Sequence, residues 1–159
     1  MYEIAREIDT KLFSQINLLL DIEKINSLVQ LKIGNRVPSS TMDIYKKYIE
    51  STSYSNIEFF SFKLQTAYSN LSNHLRNIIS KYYQTYIIEE NETDYIFGTE
   101  VLVEPKTPKQ RKEAERIKKE YHNEILILRQ YFLNFYNIGT YHLGFSPRFD
   151  NYIDQLKKE

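Results

Sequence analysis

The chain has no cysteine in 159 residues. That single absence removes disulfides, thiolate nucleophiles and thiolate metal sites together, and it suits a reducing compartment. Tryptophan is also missing, and glycine, proline and histidine are scarce, at four, four and three. The glycines stand alone at 34, 98, 139 and 144, so no clustered loop lets the backbone approach a phosphate. Neither a P-loop nor a dinucleotide fingerprint is present. His74, His122 and His142 are too far apart in sequence for two of them to share one helical turn, and no H-E-x-x-H occurs. No serine sits in G-x-S-x-G, the nucleophile elbow. The expectation is therefore no metal, no cofactor and no intact catalytic motif.

Long apolar runs are missing too. The longest are short, such as Leu18-Leu19-Leu20 and Ile125-Leu126-Ile127-Leu128, against the ~20 residues that a membrane span needs. The opening Met1-Tyr2-Glu3-Ile4-Ala5-Arg6-Glu7 lacks the basic start and apolar stretch of a signal peptide. These features predict a cytosolic protein with no membrane association. An excess of either charge is absent as well: 21 bases balance 21 acids. A whole-molecule polycation for nucleic acid is thereby excluded, whereas a local patch is not.

What is abundant is Ile, Lys, Asn and Tyr, all with AT-rich codons, and Tyr alone reaches 14. The bias points to a low-GC bacterium or its phage. Tyrosine joins apolar area to a polar tip and is favoured at interfaces, although core packing also uses it. A chain of 159 residues is expected to form one domain over 1–159. At that size it buries about 70% of its unfolded surface and needs no staples.

Apolar periodicity predicts mostly helix. Ile4, Ile8, Leu12, Ile16, Leu19, Leu20, Ile25, Leu28 and Val29 recur at three-to-four spacing over 2–31. Ser40-Thr41-Met42-Asp43 reads as a capping box opening a short helix to Glu50, with Ile44, Tyr45, Tyr48 and Ile49 inward. A second long helix is expected over 56–85, with Ile57, Phe60, Leu64, Ala67, Leu71, Leu75, Ile78 and Tyr82 inward and Phe59 and Phe62 widening the stripe. Between 86 and 104 the period changes. Short β-branched or aromatic runs separated by Asn91, Gly98 and Pro105 predict a small antiparallel β-hairpin. Thr107-Pro108-Lys109-Gln110 is the strongest local signal, with a hydroxyl cap, Pro at the first helical position and Gln at the third. The helix that it opens carries Ala114, Ile117, Tyr121, Ile125, Leu128, Phe132 and Phe135 on one face and should stop at Gly139. Ser146-Pro147 then opens a short last helix with Phe149, Tyr152, Ile153 and Leu156. The fold class read from these signals is mainly α (α+β): a bundle of three long and two short helices with the hairpin inserted at about 86–104.

Two stretches segregate charge. Between Lys81 and Lys106 no basic residue occurs, and Glu89, Glu90, Glu92, Asp94, Glu100 and Glu104 make the expected hairpin acidic. Such a cluster can engage a basic nucleic-acid channel, or it can protect an edge strand from aggregation. The next stretch reverses sign. Lys109, Lys112, Arg116 and Lys119 step by three, four and three, so they share a helical face away from the Ala114-Ile117-Tyr121 stripe. Cations in a first turn oppose the helix dipole, which hints at use. The partner would be nucleic acid or an acidic protein patch. The plainer reading is a solvated face.

Arg116-Ile117-Lys118-Lys119-Glu120-Tyr121-His122 resembles the R-x(4–6)-H signature of HEPN ribonucleases, small helical proteins of toxin and defence systems. The resemblance implies Arg116 and His122 as a phosphodiester-cleaving pair, often completed across a dimer. It covers seven residues, and Ile117 stands where that family usually has a polar residue. Leu75-Arg76-Asn77-Ile78-Ile79-Ser80-Lys81 has the family's Arg-Asn start without a His. Over the whole chain, small size, missing catalytic motifs, AT-rich bias, abundant Tyr and segregated charge resemble type II anti-CRISPR proteins of phage and mobile elements. No motif carries that likeness. It implies a non-enzymatic inhibitor in the host bacterial cytosol, bound stoichiometrically to a host protein, a Cas9 nuclease, through the acidic or the basic face. A small nucleic-acid-binding regulator using the basic stripe is a further reading, weakened by the lack of a clear helix-turn-helix.

Overall fold

Thr107 accepts a hydrogen bond from the Gln110 backbone N–H at 3.1 Å, and the Gln110 side chain accepts from the Thr107 N–H at 3.3 Å. This reciprocal pair satisfies two of the orphan donors at a helix start. It opens a helix that runs 36 residues, Pro108–Leu143, about 54 Å. The apolar stripe expected for this helix is buried throughout. In this computed structural model, residues 2–31, 36–37, 39–51, 56–83, 87–89, 95–97 and 104–144 are described. In chain order they form α1 (Tyr2–Leu19), α2 (Ile22–Gln30), β1 (Arg36–Val37), α3 (Ser39–Glu50), α4 (Phe62–Ile78), a π-helical turn (Ile79–Tyr83), β2 (Ile87–Glu89), β3 (Tyr95–Phe97) and α5 (Pro108–Leu143).

The long C-terminal helix is the spine. α4 packs most extensively against α5, α2 lies along it, and α1 and α3 close the remaining sides. One core joins them. Phe13, Phe59, Tyr68 and Phe135 meet there, with the Phe135 ring 5.1, 5.9 and 5.8 Å from the other three ring centres. Each such aromatic contributes roughly 1.5–3 kcal/mol by leaving water. No helix among the described residues is long and apolar enough to cross a membrane.

The expected fold class is corrected. The described part is a helical protein, and no two-stranded unit stands alone at 86–104. What β pairing exists is three strands of two or three residues. β3 lies between β2 and β1, antiparallel to both, with Ile88 opposite Ile96 and Arg36 opposite Ile96. The stretch after α4 is thus tied to the stretch before α3. Strands this short add few ladder bonds, so helix packing carries the fold.

Helix boundaries also move, each for a local reason. The first helix breaks at Leu20-Asp21. Asp21 caps α2 by accepting from the Lys24 N–H at 2.9 Å, Glu23 favours the new N-terminus, and the Lys24 ammonium bonds the Leu18 carbonyl. α3 begins at Ser39, one residue before the expected cap, and its inner face is Met42, Ile44 and Tyr45, while Ile49 is exposed. α4 begins six residues late because Ser61 caps it, and the backbone before it is held from outside. The Asp9 carboxylate accepts from the Phe60 and Ser61 N–H groups at 2.8 and 3.0 Å, and Gln65 Oε1 accepts from Phe59 N–H at 2.6 Å. Phe60 and Phe62 consequently face solvent rather than the core. α5 continues through Gly139 and ends at Gly144, whose φ of 69° supplies the left-handed cap. The short helix expected after Ser146 lies outside the described residues.

Candidate functional site

Lys109, Lys112, Arg116 and Lys119 all lie exposed on the first three turns of α5, in a row about 15 Å long. The core stripe of the same helix holds this face outward. Around Arg116 the surface is organised. Its guanidinium donates to Glu113 at 2.5 and 3.1 Å and to Glu120 at 2.8 Å. Glu120 also receives the Lys81 ammonium from the π turn. Hydrogen bonding to Arg116 lowers the Glu113 pKa. For Glu120 the Lys81 hydrogen bond is the main depressing cause, and the same contact raises Lys81. Both carboxylates are therefore committed to Arg116 and Lys81. Lys109, Lys112 and Lys119 make no ion pair among the described residues. The row is a basic ridge whose three lysines remain available to an anionic partner.

The Arg116–His122 pair does not assemble within the chain. Six residues of α-helix turn about 600°, so Arg116 and His122 point about 120° apart. Arg116 is engaged by two glutamates, and His122 is exposed on another flank. Of the acidic cluster, Glu104 is exposed. Glu90, Glu92, Asp94 and Glu100 lie outside the described residues, and Glu89 is placed only by its backbone, opposite Tyr95.

His74 is tied down between α4 and α5, with Nε2 2.9 Å from the Glu124 carbonyl and 3.2 Å from its carboxylate, and its ring edge-on to Tyr131. No group of three or more metal-ligating side chains occurs among the described residues. Below the ridge, Tyr45 and Tyr121 share a buried hydroxyl–hydroxyl bond of 2.9 Å, and Tyr82 packs edge-on to Tyr121 with ring centres 5.0 Å apart. Burial raises all three hydroxyls, Tyr82 to about 12.

At the far end of α5 lies a feature the sequence reading missed. A groove of roughly 320 Å³ opens between α1, the start of α4 and the end of α5, walled by Ala5, Arg6, Phe60, Ser61, His142 and Leu143. Phe60, beside it Phe62, and Tyr141 are 65%, 83% and 84% exposed. The available signal was Ser61: read as an N-cap, it takes Phe60 and Phe62 off the long-helix stripe and turns them outward. Set against protein-family models, curated proteins and solved structures, the chain matches none of them.

Proposed function

We propose that this protein works by binding: it is a non-enzymatic inhibitor that attaches stoichiometrically to a host defence nuclease of the Cas9 type, and the basic ridge of α5 is a contact. The observation that carries this reading is the division of labour on the ridge. Glu113 and Glu120 are occupied by Arg116 and Lys81, while Lys109, Lys112 and Lys119 stand exposed and form no ion pair among the described residues. A helix start normally favours acids, yet the first turn of α5 has none. The surface fits an anionic partner, such as the guide-RNA phosphates of a nuclease–guide complex.

The test is co-purification of the protein with a cognate Cas9–guide complex, followed by target cutting. The expected result is a one-to-one complex and reduced cutting. Separate elution of the two, with cutting unimpaired, removes the proposal.

A further inference from the structure

The exposed line of α5 does not end with the basic ridge. At about 100° per residue, Asn123, Gln130, Asn134, Asn137 and Tyr141 fall in the sector that the ridge already occupies, about 80° wide. All five are exposed. The face therefore runs for about 48 Å, from Lys109 to Tyr141, and none of the described residues covers it. Its chemistry changes along its length. The first third is cationic. The remainder is uncharged, with four amides and a phenol on the line and Leu126 and Ile127, each 39% exposed, as apolar shoulders. The Tyr141 ring stands edge-on to His142, with centres 5.4 Å apart. Acids are few here. Glu113 and Glu120 are held by Arg116 and Lys81, Glu115 is exposed, and after Glu124 the helix has none. Arg129 is exposed on the flank that also carries Arg111 and Lys118.

Cations meet phosphates. An amide offers a donor and an acceptor together, which matches the edge of an unpaired base, and a tyrosine ring stacks on the face of one. A partner that carries phosphates and bases on one chain fits both parts of the line. An acidic protein patch leaves the uncharged part without a match. Shape then selects between strands and duplexes. A helix in a major groove reads base edges over a few turns before the groove winds away, whereas a single strand can follow a straight face. Tyr141 also needs a base that is not already stacked in a duplex. We propose that the outer face of α5 binds single-stranded nucleic acid along its length, with the lysines on phosphates and the amide row and Tyr141 on bases. The inference rests on the ridge being a contact and names what it touches.

The test uses the full-length protein without any nuclease. Its probe is an unstructured fluorescein-labelled RNA of about 15 nucleotides, alone or annealed to its complement, followed by anisotropy. The single strand should bind at least about tenfold more tightly than the duplex. Lys109→Gln, Lys112→Gln and Lys119→Gln together should make the salt dependence shallower by about 2 in log–log slope. Tyr141→Ala should weaken binding at least about fivefold at an unchanged slope, and Tyr141→Phe should restore it. Gln130→Ala, Asn134→Ala and Asn137→Ala together should also weaken binding without altering the slope. All of these positions are exposed and alanine favours helix, so circular dichroism should not change. Absence of binding at low salt would overturn the proposal, as would a duplex bound as tightly as the strand. Amide and Tyr141 substitutions without effect would confine the contact to the ridge and overturn it too. So would polyglutamate competing as well as RNA of equal charge, the mark of an acidic protein partner. Nuclease inhibition without RNA binding removes this inference and leaves the inhibitor reading standing; RNA binding without attachment to the nuclease does the reverse.

Discussion

The ring of Phe13 lies against the backbone of Gly139, so closely that a Cβ there would fall 2.0 Å from Phe13 Cε2. Glycine inside a helix ordinarily costs about 1 kcal/mol relative to alanine. Here that cost admits an aromatic ring into the contact between α1 and α5. Gly139→Ala is therefore expected to destabilise the protein by about 1–3 kcal/mol, as overpacking does, despite the better helix propensity. Urea unfolding checks this; an unchanged or higher midpoint would show that Phe13 can move aside.

Asp9 is a buried carboxylate serving two backbone N–H groups on the segment before α4. Asp9→Ala leaves both part-buried donors without that acceptor. The expected loss is about 1–3 kcal/mol. Hydrogen exchange should localise the loosening to residues 59–61. Uniform exchange with unaltered stability would contradict the role assigned to Asp9.

The buried tyrosines make a prediction about alkaline pH. Tyr45, Tyr68, Tyr82 and Tyr121 all have folded-state pKa values raised above the ordinary 10.0, chiefly by burial. A raised pKa means that the folded state holds its proton after the unfolded state has released it. The stability from these groups is thus complete below about pH 10 and falls as pH rises from there toward each folded value. Urea midpoints should decline steeply between roughly pH 10 and 12, and Tyr45→Phe together with Tyr121→Phe should flatten that decline. A slope indifferent to the double substitution would rule out this pair as its source.

Charge reversal addresses the ridge. Lys109→Glu, Lys112→Glu and Lys119→Glu together should weaken nuclease binding at least about tenfold and leave the helical circular dichroism intact, because none of the three lysines makes an ion pair among the described residues. Binding by the unaltered protein should also fall with added salt. If the triple variant inhibits as well as the parent, the contact lies elsewhere.

His122→Ala and Arg116→Gln test the alternative chemistry. With Arg116 held by Glu113 and Glu120 and His122 on another flank of α5, neither change should alter the amount of RNA cleaved by purified protein. Cleavage that disappears with both substitutions would instead support a ribonuclease assembled between copies.

Much of α5 was legible in the linear chain. Its Thr107-Pro108-x-Gln110 start and seven-residue inner stripe are local signals, decided by hydrogen bonds and periodicity within a few turns. The exposure of Lys109, Lys112, Arg116 and Lys119 follows from the same period. The parts misread were those where a distant group intervenes. Gly139 was expected to end the helix, but the ring of Phe13 needs it inside. Phe60 and Phe62 fit an apolar stripe on paper, yet Asp9, 51 residues earlier, takes the Phe60 N–H and the helix starts late. The expected hairpin does not stand alone, because β3 has a neighbour on each side, one of them from before α3.

Periodicity and capping chemistry by themselves thus determined that the protein is mainly helical, which face of α5 is buried and where its basic ridge lies. Only the tertiary structure decided that Lys81 reaches Glu120 from the π turn, and that Arg6, Phe60 and His142 wall a groove at the opposite end. The physical reason is range. Helix registry, caps and the Arg116 pairs are settled by contacts three or four residues apart, whereas the Lys81–Glu120 pair and the hold of Asp9 on the start of α4 depend on groups brought together by packing.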